Sequence, residues 1–225
     1  MKDILKIILK YIPAYLNDFL SLAGSPKQFI SSRNTENIEN NLANALAFLG
    51  ITLCLIWLLQ APLIEKDEFF ARFASALVLL LLNVVLFSAA VRLSWSIVGG
   101  KASLKAFIIT YAYFSSGLIF IITIFFMISS GITKVLSPDL FEILLTQNPQ
   151  AILDADLFAD TGFVVGLCVF VAGLIIGNIW GLIGWGAFRQ LNGLSKKHSL
   201  GALFLVSFFS LPVTGLTYFI SQLMT

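Results

Sequence analysis

The stretch from Thr161 to Phe188 carries no charged side chain. It is longer than the roughly 20 apolar residues that a helix needs to cross a bilayer. It also contains seven glycines, and each would destabilise a helix in water by about 1 kcal/mol. A helix in lipid tolerates glycine, because hydrocarbon offers its backbone no competing hydrogen-bond partner. The stretch therefore predicts a transmembrane helix.

Four of these glycines, Gly166, Gly173, Gly177 and Gly184, fall on one stripe of the predicted helix. Small residues at such spacings let a second helix approach backbone to backbone. Asn178 lies beside the stripe, and its amide needs a hydrogen-bonding partner in lipid. We interpret the stripe as a packing surface rather than a pore, and we expect the other spans to pack around this helix.

The composition of the whole chain indicates a membrane protein. Of its 225 residues, 58% are hydrophobic and 12% are charged, and this charged share is about half that of soluble proteins. The mean hydropathy is +0.93. Cys54 and Cys168 both fall in apolar stretches, so they are interpreted as packing residues rather than as a disulfide.

Further long apolar stretches accompany the glycine-rich one. The predicted fold is an all-α integral membrane protein, a bundle of five transmembrane helices with an N-terminal amphipathic interfacial helix. The surface helix takes residues 1–24, and one five-span membrane domain takes residues 25–225. The spans are expected at residues 42–64, 71–98, 104–129, 161–187 and 199–222.

Residues 1–24 have the pattern of an amphipathic helix, with Lys6 and Lys10 on the face opposite an apolar one. Such a helix lies on the membrane with its apolar side in lipid. The recurring lysines interrupt any long apolar core, which argues against a cleaved signal peptide. Pro13 is expected to kink the helix or to start a second one. The apolar face consists of Ile4, Ile8, Tyr11, Tyr15 and Phe19.

The longest predicted loop, residues 130–160, is acidic. Ser137-Pro138-Asp139 has the order of a helix start, with a cap, a proline and an acid, and Asn148-Pro149 begins a second short helix. We expect both helices to lie on the outer membrane face. The acids show no regular ligand spacing, so they are interpreted as a solvated surface rather than as a cation site.

The lysines and arginines are distributed unevenly between the two sides of the membrane. With five spans, eleven fall on the side of the N-terminus and three on the other. Basic residues concentrate on the cytoplasmic side. The N-terminus is therefore predicted to be cytoplasmic and the C-terminus to lie outside.

The apolar spans contain few side chains that support catalysis. No paired carboxylate and no pair of histidines falls within them, and His198, the single histidine, lies in a basic turn. Enzymes and proton-coupled transporters use such groups, so we expect no enzymatic activity, no cofactor and no metal. The polar positions that remain as functional candidates are Asn83, Arg92, Lys101, Tyr111, Asn178 and Arg189.

Three short segments, in this order along the chain, carry a family resemblance. They are Ser25–Phe29, which contains Pro26, a Gly99–Lys105 turn before a tyrosine-rich third span, and a Leu191–Ser195 turn before the last span. The chain resembles the Yip (Ypt-interacting protein) domain family across roughly residues 25–223. The resemblance implies a five-span domain with a cytoplasmic N-terminus.

Eukaryotic members of that family are linked to Rab-type GTPases and vesicle traffic. The present chain lacks their Asp-Leu-Tyr-Gly-Pro stretch, and its Tyr111 follows Thr110 rather than glycine. Its short cytoplasmic segment looks more like that of a prokaryotic member. The resemblance therefore implies a multi-pass protein of a bacterial inner (plasma) membrane.

Two functions are consistent with these features. The first is a non-enzymatic protein that organises the bilayer or partner proteins, with the lipid bilayer and anionic headgroups at the cytoplasmic face as partners, and membrane proteins or further copies as possible ones. The alternative is a passive transporter, channel or lipid-moving protein for anionic solutes or headgroups. A continuous polar cavity that reaches the middle of the membrane would favour transport, and a solid core would favour organisation. Arg92 either extends to the headgroups, which is the interpretation we prefer, or faces a polar cavity. We expect no nucleic-acid partner.

Overall fold

The computed structural model describes residues 2–33, 38–61, 69–146, 150, 152 and 155–224, except for the side chains of residues 2–12, 38–39, 69–71 and 223–224. Its helices are α1 (Lys2–Gly24), α2 (Pro26–Ser32), α3 (Ile38–Gln60), α4 (Phe69–Ile97), α5 (Leu104–Leu136), α6 (Pro138–Leu145), α7 (Thr161–Asn192) and α8 (Lys196–Met224).

Five of these helices, α3, α4, α5, α7 and α8, are long and apolar enough to cross a membrane. The predicted all-α fold with five spans is thus confirmed. Helices α5 and α7 extend beyond their predicted ends at residues 129 and 187 and keep Lys134 and Arg189 in their last turns, where a basic side chain is favourable near the helix C-terminus. α7 then stops at Gly193, whose φ of 63° is left-handed.

Two ends of the bundle can be distinguished by their turns. The α4–α5 turn and the α7–α8 turn lie together at one end, which we call the basic end. They are joined there by Asn192, whose Oδ1 accepts a hydrogen bond from the Ala102 amide at 3.3 Å and whose Nδ2 donates to the Phe188 carbonyl at 2.9 Å. The opposite end, where α3 finishes and α6 lies, is called the α6 end.

The central helix of the bundle is α5, which packs extensively against α7 and α3 and also against α4, α6 and α2. The expectation that α7 is the hub is therefore wrong. α7 packs chiefly against α5 and α2, and α8 packs chiefly against α4. α5 can occupy the centre because it also carries small residues that let neighbouring helices approach. Ala112 and Ser116 are fully buried, and Gly117 leaves room for the ring of Trp180.

The glycine stripe of α7 faces α5, but α5 approaches its members to different degrees. A β-carbon on Gly173 would overlap the Cβ and ring of Phe125, whereas one on Gly177 would lie at an ordinary 3.4 Å from Ile122 Cγ1. The other two members of the stripe, Gly166 and Gly184, are also approached closely. A β-carbon on either would lie 3.0 Å or less from an atom of α5.

Helix α1 is continuous through Pro13 and ends at Gly24. Its C-terminal half packs against protein: Tyr15 is 5% exposed and Leu22 is 1% exposed, and the ring of Phe19 lies 4.4 Å from that of Phe120. Tyr15 and Phe19 were expected to be buried in lipid, and this expectation is wrong because α3 and α5 cover them. The side chains of the other predicted face members, Ile4, Ile8 and Tyr11, lie outside the described part of the structure.

Helices α1 and α2 form a hairpin that packs along α7. The Trp180 indole N–H donates to the Ala23 carbonyl at 3.2 Å, and the Ser31 hydroxyl donates to Gln190 Oε1 at 2.5 Å. Because Trp180 is near the middle of α7 and Gln190 near its end, the bend of the hairpin points into the bundle. An interfacial position for the whole of α1 is not confirmed.

Helix α6 begins at Pro138, as the sequence predicts. The Ser137 hydroxyl, just before α6, donates to Asp160 Oδ1 at 2.5 Å, and Asp160 Oδ1 also accepts a hydrogen bond from the Phe163 amide at 2.7 Å. The end of α5, the start of α6 and the start of α7 therefore meet at one hydroxyl. The second short helix, predicted to begin at Asn148-Pro149, falls mostly on residues outside the described ranges.

Candidate functional site

The polar residues singled out from the sequence do not converge on one site. Arg92 and Lys101 are exposed at the basic end of the bundle. Tyr111 lies between α4 and α5, where its ring stacks on that of Phe87 with a centroid distance of 6.0 Å and an interplanar angle of 4°. Asn83 is half-buried on α4. These positions are spread along the bundle rather than gathered around a cavity.

Asn178 is exposed on α7 and satisfies its own amide by donating to the Leu174 carbonyl at 2.8 Å. It borders a small groove of about 190 Å³, with Phe114 of α5 and Leu203 of α8 among the other lining residues. The Asn178 amide thus finds a hydrogen-bonding partner within its own helix and needs none across the helix interface. Arg189 is half-buried near the end of α7, and its carbonyl accepts the Leu194 amide at 3.3 Å.

Exposed cations collect at the basic end. Lys101 and Lys105 border the start of α5, and Lys196 and Lys197 open α8, all four of them exposed. His198 is also exposed, with its Nδ1 atom 2.8 Å from the Ser195 hydroxyl. Ser195 precedes α8 and its carbonyl accepts the Ser199 amide, so the Ser195–His198 contact lies in the first turn of a helix.

A larger cavity lies at the α6 end and was not predicted from the sequence. It has a volume of about 550 Å³ and is bordered by the end of α3, the start of α4, the last turns of α5, the start of α7, and α6. We call it the α6 cavity. Its polar lining consists of Gln60, Arg72, Ser129, Ser130 and Thr133. Its apolar lining includes Phe126, Phe163, Leu167 and Phe170, and α6 contributes Phe141, Leu144 and Leu145.

The hydroxyl groups of α5 make this lining polar towards the helix end. Thr133 donates to the Ser129 carbonyl at 3.1 Å, while the Ser129 and Ser130 hydroxyls make no hydrogen bond to another described residue. The sequence does contain a signal for this, a Ser129-Ser130-x-x-Thr133 run near the end of an apolar helix. The cavity itself could not be read from that run, because four other helices supply the remaining walls.

The apolar lining lies on α5, α6 and α7. The rings of Phe126 and Phe170 meet edge to face at 6.1 Å, and Phe126 is 41% exposed, so this side of the cavity is open. α6 is held over it by Phe141, which is 8% exposed and lies 5.8 Å from the Lys134 ammonium, ring centroid to nitrogen. The cavity is therefore amphipathic, with apolar walls and a polar side.

Between the α6 cavity and the basic end, side chains fill the interior. Phe107, Ile109, Tyr113 and Phe188 are at most 1% exposed. Several hydroxyls buried here bond within their own helices; for example, Ser116 donates to the Ala112 carbonyl at 2.7 Å. The α6 cavity therefore opens only part of the way into the bundle.

A second polar site lies where α1, α2 and α3 meet. Arg33 Nη2 and Asp18 Oδ1 are 2.5 Å apart beside a cleft of about 230 Å³ that Asn44 and Tyr113 also line. The guanidinium additionally lies over the Phe29 ring at 4.9 Å. The sequence did not predict this pair, because Asp18 falls within the predicted surface helix and Arg33 lies before the first predicted span. The pair fixes the open end of the α1–α2 hairpin.

The described residues contain no group of three or more histidine, cysteine, aspartate or glutamate side chains placed to hold a metal ion. Comparison with known proteins finds no matching protein-family model, no matching curated protein and no matching solved structure. The resemblance to the Yip family consequently stays a prediction.

Proposed function

We propose that this protein is a non-enzymatic membrane protein that organises lipids or partner proteins, with its basic end at the cytoplasmic face of a bacterial inner membrane. The proposal rests above all on the filled interior. Phe107, Tyr113 and Phe188 fill the part of the bundle next to the basic end with at most 1% exposure. A transporter needs a site that both faces can reach, and this packing favours a static framework instead.

The basic end supplies the means of organisation. Its exposed lysines, Lys101, Lys105, Lys196 and Lys197, lie on two turns that Asn192 holds together. Each basic side chain near an anionic membrane surface contributes about 1 kcal/mol of attraction. A fixed cluster of four therefore concentrates anionic headgroups beside the protein.

Reconstitution into vesicles of phosphatidylethanolamine and phosphatidylglycerol tests this proposal. We expect energy transfer from labelled protein to fluorescent phosphatidylglycerol to exceed that to fluorescent phosphatidylcholine. Replacing the four lysines of the basic end by glutamine abolishes the difference, whereas Lys134→Gln at the α6 end preserves it. Equal transfer to both lipids in the wild type contradicts the proposal.

A lipid-moving protein is the second candidate, and the α6 cavity is the observation that favours it. An amphipathic cavity that opens sideways accommodates part of a lipid while that lipid moves out of the bilayer. In the same vesicles, protein-dependent access of dithionite to inner-leaflet fluorescent lipids would support this candidate and overturn the static framework. Unchanged access supports the framework.

The proposed orientation has its own test. With Cys54 and Cys168 replaced by serine, a cysteine at Asp156, an exposed position before α7, should react with a membrane-impermeant maleimide in intact cells. A cysteine at Lys197 should react only after lysis. The reverse pattern would place the basic end outside the cell.

A further inference from the structure

We propose that the outer face of the α1–α2 hairpin forms a water-filled recess that reaches from the basic end to about the middle of the membrane. The recess is lined by the hairpin itself and ends at its bend. It shortens the hydrocarbon path that a polar group of the adjacent leaflet has to cross beside the protein. This inference does not rest on the function proposed above.

The depth of the bend follows from its contact with α7. The Trp180 indole N–H donates to the Ala23 carbonyl. Arg189, the first charged residue after the apolar stretch of α7, comes nine residues after Trp180. At about 1.5 Å per residue, this separation is about 14 Å along the helix axis, close to half of the roughly 30 Å hydrocarbon layer. The bend therefore lies near the middle of the membrane.

The backbone at the bend is irregular and uncovered. Ser25 has a φ of −146° and a ψ of 62°, which are not helical values, and both Gly24 and Ser25 are exposed. Irregular backbone at membrane depth is tolerated only where protein buries it or where it lines a water-filled cavity. Because the described residues leave Gly24 and Ser25 exposed, water is the neighbour that this backbone requires.

The side chains beside the bend are polar on their exposed side. A groove of about 420 Å³ runs along the hairpin, and Leu20 and Phe29 are the only apolar side chains in its lining. The hydroxyls of Ser21 and Ser25 and the amide of Gln28 line it, and all three residues are exposed. These polar groups make no hydrogen bond to another residue in the described part of the chain. Hydrocarbon would leave them unpaired, which is unfavourable, whereas water pairs with all of them.

Exposed side chains at the same level of α7 are aliphatic instead. Ile175, Ile179 and Ile183 flank Trp180 in the sequence and are each more than half exposed, as expected of positions that face lipid. On α1, Leu16 and Leu20 are also exposed and mark the side of the hairpin that stays against lipid. The hydroxyls and the amide of the groove therefore separate a solvated face from the lipid-facing surface around it.

An ion pair lies where the groove opens towards the basic end. α2 finishes beside Gln190, to which Ser31 donates. The guanidinium of Arg33, just after α2, lies over the ring of Phe29 and pairs with Asp18. The Arg33 and Asp18 side chains stay 34% and 29% exposed, and charged groups are costly in hydrocarbon. Water that reaches this pair also reaches the groove, because Phe29 borders both.

Spin labelling of the full-length protein in phosphatidylcholine vesicles tests the recess. With Cys54 and Cys168 replaced by serine, a nitroxide is attached at Ser25→Cys or Gln28→Cys in the groove, or at Ile179→Cys on α7. Collisions of each label with a water-soluble nickel chelate and with oxygen, which concentrates in hydrocarbon, are then measured. We expect the chelate to dominate at the two groove positions and oxygen to dominate at position 179. The logarithm of the ratio of the two collision rates should therefore change sign between labels at one depth.

Two results would overturn the recess. Oxygen dominance at Ser25→Cys and Gln28→Cys, as at Ile179→Cys, would show that lipid covers this face of the hairpin. Low collision rates with both reagents, together with an immobilised nitroxide, would show that another protein chain covers it.

Making the groove apolar provides the second arm. Ser21→Leu combined with Gln28→Leu should turn the label at Ser25→Cys from chelate to oxygen dominance, whereas Val171→Leu, at an exposed position of α7, should leave that label unchanged. If the double variant fails to fold, Gln28→Leu alone should give a smaller shift in the same direction. Chelate access that persists in both variants would show that these side chains do not hold the water, and it would overturn the assigned lining.

Discussion

The hydroxyl of Tyr15 lies 2.9 Å from that of Thr52, near the middle of the first span. Thr52 also donates to the Phe48 carbonyl at 2.9 Å. A threonine hydroxyl has a single proton, so Tyr15 is the donor and Thr52 the acceptor in their contact. The N-terminal helix is thus attached to the interior of the bundle by a directed hydrogen bond.

Removing this hydrogen bond should weaken the protein measurably. Tyr15→Phe keeps the ring that packs against Phe48 and removes only the donor. A hydrogen bond of this kind contributes about 1 kcal/mol, so we expect a lower melting temperature in detergent. Tyr218→Phe is the matched control, since Tyr218 is 66% exposed. Equal melting temperatures for the two variants would show that the Tyr15 contact adds no stability.

The two central glycines of α7 should respond differently to the same substitution. Gly173→Ala places a methyl group onto the Cβ of Phe125, which cannot move without its helix, and such overpacking costs about 1–3 kcal/mol. Gly177→Ala places it at van der Waals distance from Ile122 and should be nearly neutral. Thermal unfolding in detergent measures both. A loss of the same size at both positions would mean that α5 and α7 are more closely packed around Gly177 than the distances indicate.

Acid should weaken the junction between α5, α6 and α7. The Ser137 hydroxyl and, after it, the Phe163 amide bond to the Asp160 carboxylate and hold the pKa of that carboxyl below its ordinary value. Because the folded pKa is lowered, the carboxylate stabilises the fold above its unfolded pKa of about 4. That stabilisation is lost as the pH falls through the lowered value.

Asp160→Asn is the variant that checks this dependence. It should melt at a lower temperature than the wild type at neutral pH and approach the wild type in acid, since both then carry a neutral side chain. Asp156→Asn, at an exposed position in the same loop, should follow the wild type throughout. A constant gap between Asp160→Asn and the wild type across the acid range would contradict the linkage.

Ser88 should tolerate the loss of its hydroxyl. Its Oγ atom is buried and has no hydrogen-bonding partner among the described residues, and a buried group left unpaired costs about 1–3 kcal/mol. We expect Ser88→Ala to keep or raise the melting temperature. Ser116→Ala removes a hydroxyl that donates to the Ala112 carbonyl at 2.7 Å and should lower it. Equal destabilisation by both changes would indicate that Ser88 has a partner after all.

The sequence predicts the five spans correctly, but it does not predict how they pack against one another. Long apolar stretches predict five crossing helices because charges are costly in hydrocarbon. The choice of α7 as the hub failed because its glycines report close approach by one helix, α5, and carry no information on how many neighbours α5 itself has. The face of α1 that carries Tyr15 has the same apolar sequence pattern whether it faces lipid or α3, because both surroundings are mainly apolar.

The candidate sites were harder still to predict. Asp18 and Arg33 lie on opposite sides of a bend at which Trp180, far along the chain, donates a hydrogen bond to Ala23. Five helices border the α6 cavity, and Arg72 and Ser130 both line it only because the ends of those helices lie together. Periodicity within a helix reports one face at a time, so a space between helices has no local pattern.

The hydrogen bond between Trp180 and Ala23 has a consequence for biosynthesis. Ala23 is synthesised before Trp180 and Gln190, so the two hydrogen bonds that attach the α1–α2 hairpin to α7 can form only after α7 has been made. The hairpin can therefore reach its final position on α7 only after α3, α4 and α5 have been made. The contacts between the first part of the chain to be made and α7 are thus among the last to form.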